Sequence, residues 1–284
     1  MLARMPGPWL ARSVAGCTSH PTSHFTLHSA LHPITRPLTR ALAAWPSQCE
    51  LCRDWGRSLL CRECLGAHVP ARARCRRCGL AVGQPESLCG ACLRDPPPFE
   101  RTVCALDYVF PWDRLIGHLK FQRRLDLAAP LAALLGDALA AADAAFAAPA
   151  GAAAQDTAQA RTVLVPVPLS EHRLAERGFN QAWELARRLA RARRLPAAPR
   201  ALARVFDTPA QAGLARADRQ RNLRNAFAPG PQAAAVRGCD VALVDDVMTT
   251  GATAVQASAT LLRAGARSVQ LWVLARTPEP RQVT

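Results

Sequence analysis

Aromatic residues, lysine and long apolar runs are scarce in this sequence of 284 residues. Tyrosine occurs once, and all aromatic residues together make up 5% of the chain. Because proteins that hold single-stranded nucleic acid usually stack the bases on aromatic rings, any nucleic acid bound here should be held mainly through its charged backbone. No apolar run approaches the roughly 18 residues needed to cross a bilayer, which argues against a membrane-spanning protein.

The basic charge comes almost entirely from arginine, since only one of the 36 Lys and Arg residues is a lysine, Lys120. Subtracting the 21 acidic residues leaves a formal net charge of +15, which favours polyanionic partners such as nucleic acid or phosphorylated compounds. Arginines concentrate in residues 187–194 and 216–224. A solvated surface explains these clusters as well as a nucleic-acid contact does, and Trp183 and Phe227 are expected to be packed.

Eight of the 11 cysteines form four C-x-x-C pairs. Two thiolates separated by two residues can bind one metal ion from a tight turn, and two such turns complete a tetrahedral zinc site. Disulfides would require a secreted chain, whereas residues 1–16 carry Pro and Arg where a signal peptide has an apolar stretch. We therefore expect two structural zinc ions and a reducing, cytoplasmic location. In sequence order the ligands are Cys49, Cys52, Cys61 and Cys64 for one ion and Cys75, Cys78, Cys89 and Cys92 for the other, with an interleaved grouping left open.

The chain divides into three predicted parts. Residues 1–45 contain four Arg and no acidic residue, which is typical of a disordered tail or of a start codon assigned too early. Residues 46–94 hold the cysteine pairs and are too few to fold without metal. After a Pro-rich linker, residues 99–277 alternate short apolar strands with helical segments, which predicts an α/β domain with a doubly wound, mostly parallel sheet.

Hydrophobic patterning places the elements of this domain. Residues 102–110 are predicted to be a strand pair or extended segment, and residues 207–238 a polar loop. The remaining strands are predicted at residues 162–167, 201–206, 241–244 and 269–275, and the helices at residues 112–119, 125–146, 180–194 and 254–264.

The most informative stretch is residues 241–253, VALVDDVMTTGAT. A buried strand ends in two acids, Asp245 and Asp246, which are expected at its exposed end, and a short loop then opens a helix. Ligands of open α/β sheets bind at the carboxyl ends of strands, and a helix start offers free N–H groups to a phosphate. The loop residues are Thr249, Thr250, Gly251, Ala252 and Thr253. The pattern predicts a site for a phosphate and for vicinal hydroxyls or Mg²⁺; the alternative is a simple helix cap beside two surface acids.

This stretch resembles the phosphoribosyl-pyrophosphate (PRPP) motif of type I phosphoribosyltransferases. Residues 165–182 (VPVPLSEHRLAERGFNQA), residues 118–121 (HLKF), the Gln, Arg, Asn and Phe string of residues 211–227 and the cysteine module together resemble the ComF/GntX family. The resemblance covers about residues 49–275. It implies a double zinc ribbon followed by a phosphoribosyltransferase-like domain, and a role in DNA uptake and natural transformation.

The resemblance also implies roles for residues. Asp245 and Asp246 would hold the ribose hydroxyls, and residues 249–253 the 5′-phosphate. The loop after the strand of residues 162–167, with Arg173, Arg177 and Gly178, would face the pyrophosphate, with Mg²⁺ bridging pyrophosphate and ribose. In a transfer reaction, Asp245, Asp246 and Arg177 would be the catalytic residues. A solvated charge at a helix start is the alternative for both arginines.

Two functions follow from these observations. The first is an accessory protein of DNA uptake that binds PRPP or a similar phosphoribosyl ligand and single-stranded DNA, and that works with uptake machinery such as a helicase. The alternative is a phosphoribosyltransferase of nucleotide metabolism that transfers phosphoribose from PRPP to an unidentified acceptor. Thr249 stands where some purine-salvage transferases carry an Asp that accepts a proton from the base, which disfavours a 6-oxopurine acceptor.

Overall fold

The computed structural model describes residues 46–84, 87–147, 161–205 and 226–279. The predictions made for residues 1–45, for the 211–222 part of the family string and for the 216–224 arginine cluster lie outside these ranges. The strands are β1 (Ser47–Gln48), β2 (Trp55–Gly56), β3 (Arg101–Asp107), β4 (Thr162–Pro166), β5 (Leu202–Arg204), β6 (Phe227–Pro229), β7 (Asp240–Met248) and β8 (Ser268–Arg276). The helices are α1 (Arg62–His68), α2 (Gly90–Arg94), α3 (Trp112–Phe121), α4 (Ala128–Ala147), α5 (Glu171–Arg177), α6 (Gln181–Arg193) and α7 (Ala252–Arg263), with short 3₁₀ turns at Leu125–Leu127 and Ala233–Val236.

Four parallel strands form the central sheet in the order β3-β8-β7-β4. Alternate residues of β7 enter two different cores, because successive side chains of a strand point to opposite faces. Ala242 and Val244 pack with α3, α4 and α6, whereas Val241 and Leu243 pack with α7. Helices therefore cover both faces, and the prediction of a doubly wound parallel α/β fold is confirmed.

Several predicted boundaries differ from the structure. The segment 102–110 contains one strand, β3, rather than a strand pair. β5 forms a separate antiparallel hairpin with β6, which lies inside the stretch predicted to be loop. Helix α5 is absent from the predicted elements, which place this segment in the loop after β4. Its local sequence does contain helix boundaries: the Ser170 hydroxyl oxygen accepts a hydrogen bond from the Arg173 N–H at 3.3 Å, and Gly178 ends the helix with a φ of 78°.

The cysteine-rich segment packs directly against the sheet domain. Leu60 is buried in the core beneath α3 and α4. The Trp112 indole N–H donates to the carbonyl oxygen of His68 at 2.8 Å. The Thr102 N–H donates to the carbonyl oxygen of Arg76 at 2.9 Å. This bond attaches the second cysteine-rich turn, which contains Cys75 and Cys78, to the edge of β3. These bonds fix the position of both cysteine-rich turns on the sheet.

Within the described residues, one helical segment is long and apolar enough to cross a membrane by length and composition. This segment, Leu125–Ala145, has a mean hydropathy of 1.6 and is 33% buried. The segment contains Asp126, Asp137 and Asp143 and so is not an uninterrupted apolar run; it meets the criterion through its mean hydropathy. Leu131, Leu135 and Leu139 of this segment are fully buried against the sheet, as in a core helix.

Candidate functional site

The two acids of the predicted site lie inside β7, which continues to Met248 instead of ending at Val244. Strand β8 stays paired with β7 over this stretch, with Asp245 opposite Val273. Strand β4 pairs no further than Pro166, opposite Val244. The acids therefore sit just past the end of β4, where β7 has a neighbour on one side only. The carboxyl end of the sheet beyond β4, here called the crevice, is the position at which α/β proteins bind ligands.

Asp246 is buried, which corrects the expectation that both acids lie at an exposed strand end. Its Oδ1 is 3.1 Å from the ammonium nitrogen of Lys120, and the two side chains are 11% and 14% exposed. Lys120 lies in the last turn of α3, which is anchored in the core by Ile116 and Leu119. The sequence interpretation assigned Lys120 no role. One feature of the sequence does distinguish Lys120, because it is the single lysine among 36 basic residues.

Asp245 has an unusual protonation equilibrium. Burial, together with the negative charge of Asp246, raises the pKa of Asp245 from 3.8 to about 7, although Lys120 and Arg204 act in the opposite direction. Its Oδ1 also accepts a hydrogen bond from the backbone N–H of Asp246 at 2.8 Å. Near neutral pH this carboxyl group can gain or lose a proton, and it becomes a full hydrogen-bond acceptor only above that range.

The loop after β7 has the conformation expected of an anion-binding helix start. Gly251 adopts a φ of 83° and precedes the first turn of α7. No side chain would clash with its surroundings there, so the left-handed backbone and not lack of space favours glycine. Thr249 and Thr250 are exposed, and the Thr250 hydroxyl oxygen accepts from the Ala252 N–H at 3.4 Å. The other N–H groups of the first turn have no partner within an α-helix and are suited to a phosphate.

The arginines predicted to lie in a loop are instead on α5. The Arg177 guanidinium donates to the Gln181 side-chain oxygen at 3.1 Å and lies 5.1 Å from the centre of the Phe121 ring. Phe121 follows Lys120 on α3, so Arg177 contacts the end of the helix whose Lys120 pairs with Asp246. Arg173 is one turn earlier on α5, and Gly178 forms the end of that helix. These contacts link Arg177 to the end of α3, and no contact of this kind is described for the Arg173 side chain.

The eight paired cysteines form two groups in sequence order. Within each group the four sulfur atoms lie within 4.8 Å of one another. The first group is Cys49, Cys52, Cys61 and Cys64, and the second is Cys75, Cys78, Cys89 and Cys92. The interleaved grouping is therefore excluded. Four sulfurs at this spacing match the ligand set of a structural zinc site.

Hydrogen bonds in both groups favour thiolates. Burial raises the pKa of Cys49, but backbone N–H groups that point at its sulfur, including that of Cys61 at 3.4 Å, lower its pKa to about 6. Cys75 follows the same pattern, with a net pKa of about 7. Burial and the neighbouring charge of Cys75 raise the pKa of Cys78 to about 11. A divalent cation would relieve this repulsion, so both groups fit zinc.

The arginine cluster of α6 is partly neutralised. Arg187 and Arg188 both lie 2.5 Å from the carboxylate of Glu184. Arg193 pairs with Asp143, whereas Arg191 and Arg194 are exposed. The available positive charge on this surface is therefore smaller than the sequence indicates.

Aromatic side chains are more available than the sequence interpretation assumed. Phe227 is buried and Trp183 is partly buried against the core, as expected. Among the described residues, however, the rings of Trp55, Phe110 and Phe121 are each 70–71% exposed. Sequence composition reports how many aromatics exist but not which of them the fold leaves in solvent.

Comparison with known proteins shows to which family the chain belongs. No protein-family model matches it. The chain is 37% identical over 246 residues to DNA utilization protein YhgH of Salmonella typhi, an alignment that covers 82% of this chain and 98% of that protein. It is 36% identical over 238 residues to DNA utilization protein YhgH of Escherichia coli (strain K12), with the same coverage. It is 34% identical over 219 residues to Competence protein F of Haemophilus influenzae, covering 76% of this chain and 90% of that protein. At this identity over most of both lengths, the chain belongs to the ComF family, together with DNA utilization protein YhgH and Competence protein F.

Proposed function

We propose that this protein binds PRPP, or a similar phosphoribosyl ligand, in the crevice beyond β4, and that it serves DNA uptake or utilisation. The observation that carries the proposal is the position of Asp245 and Asp246, which lie past the end of β4 and directly before the loop that opens α7. Acceptors for hydroxyl groups and donors for a phosphate are thereby adjacent on one strand and its following loop.

The two halves of this arrangement suit different parts of one ligand. The N–H groups at the start of α7 and the hydroxyls of Thr250 and Thr253 suit a dianionic phosphate. The carboxylates would repel an isolated phosphate but accept hydrogen bonds from vicinal ribose hydroxyls. A ribose 5-phosphate satisfies both halves at once.

The pyrophosphate of PRPP would extend toward Arg177, whose side chain is oriented by Gln181 and Phe121. Arginine suits this position because its planar group binds phosphate oxygens in pairs. Mg²⁺ bound with PRPP would neutralise part of the pyrophosphate charge and bridge it to the ribose. Within the chain, Arg177 and the α7 loop would bind the anionic ends, and Asp245 would orient the sugar between them.

The part of the proposal that concerns DNA rests on the relatives, whose names refer to DNA utilization and to competence. The net charge supports single-stranded DNA as a ligand, since a protein with a charge of +15 attracts a polyanion whatever its nucleotide sequence. Exposed Arg191 and Arg194 offer phosphate contacts, and the exposed Trp55 and Phe121 rings offer stacking surfaces. DNA-uptake machinery, such as a helicase, is the proposed protein partner.

A complementation assay tests the biological role. A strain that lacks this gene would be supplied with wild type, with Asp245→Ala or with Asp240→Asn, and scored for transformation or for growth on external DNA. Asp240 lies at the opposite end of β7, where Arg267 and Ser268 bind it, and is the matched control. The proposal expects function from wild type and Asp240→Asn and a strong defect with Asp245→Ala. Normal DNA use by the deletion strain would refute the DNA role.

A phosphoribosyltransferase is the second candidate, favoured by a cavity next to the crevice. This cavity, of about 590 Å³, lies between α5, α6 and β5. Gly178, Phe179, Trp183 and Arg204 contribute to its walls. Aromatic and apolar walls beside the phosphoribosyl site suit a flat acceptor. The enzyme would be established if wild type releases pyrophosphate from PRPP when a nucleobase is added and Asp245→Ala does not. If no base causes release, the site binds the ligand without catalysing transfer.

A further inference from the structure

Arg276 connects the second cysteine group to the loop before α7. It is the last residue of β8 and is buried. Its guanidinium Nε donates to the carbonyl oxygen of Cys78 at 3.1 Å. Its Nη1 donates to carbonyl oxygens of Met248 at 3.2 Å, of Thr249 and of Thr277 at 2.8 Å. One side chain thus binds a cysteine that fits a zinc site and the first residues of the candidate phosphate loop.

The turn that contains Cys78 is held firmly where it meets the strand ends. The Thr102 hydroxyl donates to the carbonyl oxygen of Arg77 at 2.5 Å. Gly79 adopts a φ of 69°, and a Cβ there would lie 3.0 Å from the Thr102 methyl group. The backbone of this turn therefore rests against β3 with no spare room. Movement of the turn would be transmitted to Arg276 rather than absorbed by a gap.

The bonds to Arg276 also determine which way the loop presents its N–H groups. In a trans peptide unit the C=O and N–H bonds point in opposite directions. Carbonyl oxygens of Met248 and Thr249 face the guanidinium, so the N–H groups of Thr249 and Thr250 point away from it. Both threonines are exposed, so those donors are turned to the side from which a ligand arrives. Losing the guanidinium would leave this loop free to turn its donors elsewhere.

We propose that Arg276 is a positioning residue that couples metal binding at Cys75, Cys78, Cys89 and Cys92 to phosphate binding by the loop before α7. The inference rests on the proposed function, because it concerns the same phosphoribosyl site. A zinc ion with four thiolates carries a net charge of about −2, which Arg276 partly balances. Metal fixes the carbonyl of Cys78, the carbonyl fixes the guanidinium, and the guanidinium fixes the loop.

Coupling of this kind is reciprocal, so the ligand must also affect the metal. Bound phosphoribosyl ligand should stabilise the second cysteine group against loss of zinc. The first group makes its contacts with the core beneath α3 through Leu60 and Leu65 rather than through Arg276. Protection by the ligand should therefore concern one zinc of the two.

Affinity for PRPP with Mg²⁺ and for ribose 5-phosphate is measured first in wild type, then in Arg276→Met, Arg276→Lys and Arg77→Met. Arg77 is the matched control, because its guanidinium also joins the same turn to a backbone carbonyl, that of Phe99 at 2.8 Å, but does not touch the loop. Arg276→Met should weaken both ligands by about tenfold or more, about 1.4 kcal/mol. Arg276→Lys keeps the charge but cannot span Cys78 and the loop, so it should also weaken them. Arg77→Met should bind as wild type does.

Zinc release to a chelator, with and without PRPP, supplies a second readout, and its wild-type arm tests the coupling even if Arg276→Met fails to fold. In wild type the ligand should slow release of one zinc per chain, and in Arg276→Met it should slow neither. If wild type binds PRPP but Arg276→Met and Arg276→Lys bind it equally well, or if PRPP leaves both release rates unchanged, the coupling is wrong and the proposed function stands. If wild type binds neither ligand, the proposed function is wrong and the coupling falls with it.

Discussion

The ammonium group of Lys120 lies 3.1 Å from the carboxylate of Asp246, and both side chains are almost buried. Two adjacent acids in a crevice repel each other unless a cation is near. Lys120 supplies that cation from α3 and forms an ion pair with Asp246. The neighbouring acid, Asp245, is the one whose pKa is raised to about 7.

Removing Lys120 should destabilise the fold more than removing the whole pair. Lys120→Met leaves Asp246 buried without a partner beside Asp245, and we expect a loss of about 2–4 kcal/mol at pH 8. The double variant Lys120→Met/Asp246→Asn no longer carries the unpaired charge of Asp246, so the loss should be smaller by about 1–3 kcal/mol. Chemical denaturation of the wild type, both single variants and the double variant measures this coupling. Purely additive losses would show that the pair has no energetic role.

Stability should depend on pH through Asp245. Its pKa in the folded chain is about 7, above its ordinary value of 3.8. The folded state therefore binds the proton more tightly, and stability decreases as the pH rises from about 4 to about 7. Asp245→Asn removes this decrease, so its stability relative to wild type should be about 1–2 kcal/mol greater at pH 8 than at pH 5.5. Thermal unfolding of the wild type and of the variant at the two pH values measures it.

Asp240→Asn is the control for this pH dependence. A hydrogen bond from Arg267 lowers the pKa of Asp240, so its contribution to stability is present at both pH 5.5 and pH 8 and is lost only toward lower pH. Its substitution should destabilise equally at both values. An equal pH dependence for the Asp240 and Asp245 variants would contradict the assignment of the titrating group.

The wild-type protein should contain two zinc ions per chain, one for each cysteine group. Cys52→Ser and Cys78→Ser should each lose one ion, because each removes a ligand from a different group. Cys239→Ser should keep both ions, since Cys239 is buried outside the groups. Elemental analysis of the purified proteins measures the number of zinc ions per chain. Fewer than about 1.5 zinc ions per wild-type chain would contradict two four-cysteine sites.

Binding of single-stranded DNA should weaken steeply with salt. Because backbone charge contacts dominate, affinity for a short oligonucleotide should fall at least about tenfold between roughly 50 and 200 mM salt. Arg191→Ala/Arg194→Ala should reduce both the affinity and the salt dependence. Arg187→Ala is the control and should have little effect, since Glu184 already pairs with that charge. Fluorescence anisotropy at several salt concentrations tests this, and an affinity that does not change with salt would refute it.

The sequence predicted those strands and metal-binding groups that are marked by a run of neighbouring residues. Apolar runs marked the buried strands β4, β7 and β8, and paired cysteines marked both metal-binding groups. Helix α5 was missed although Ser170 and Gly178 mark its two ends. Capping residues at both ends of a short segment favour a helix, and the prediction of a loop there gave them too little weight.

The contacts that complete the site join residues far apart in the chain. Arg276 and Cys78 are 198 positions apart, and Lys120 and Asp246 come from different elements. No periodicity or spacing reports such pairs, because they arise only when the strand order β3-β8-β7-β4 places α3 and the second cysteine-rich turn at the same end of the sheet. The same holds for the exposure of Phe121, which depends on where α3 ends.

Calorimetric titration with PRPP and Mg²⁺ at pH 8 tests the central claim most directly. At this pH Asp245 is ionised, since its pKa is about 7. The comparison is between wild type, Asp245→Ala and Asp240→Asn. Asp246 is kept because its removal would leave the ammonium group of Lys120 without its ion-pair partner. We expect wild type and Asp240→Asn to bind with about one ligand per chain, and Asp245→Ala to bind at least about tenfold more weakly, a loss of about 1.4 kcal/mol. No heat with wild type, or equal affinity in Asp245→Ala, would contradict the account.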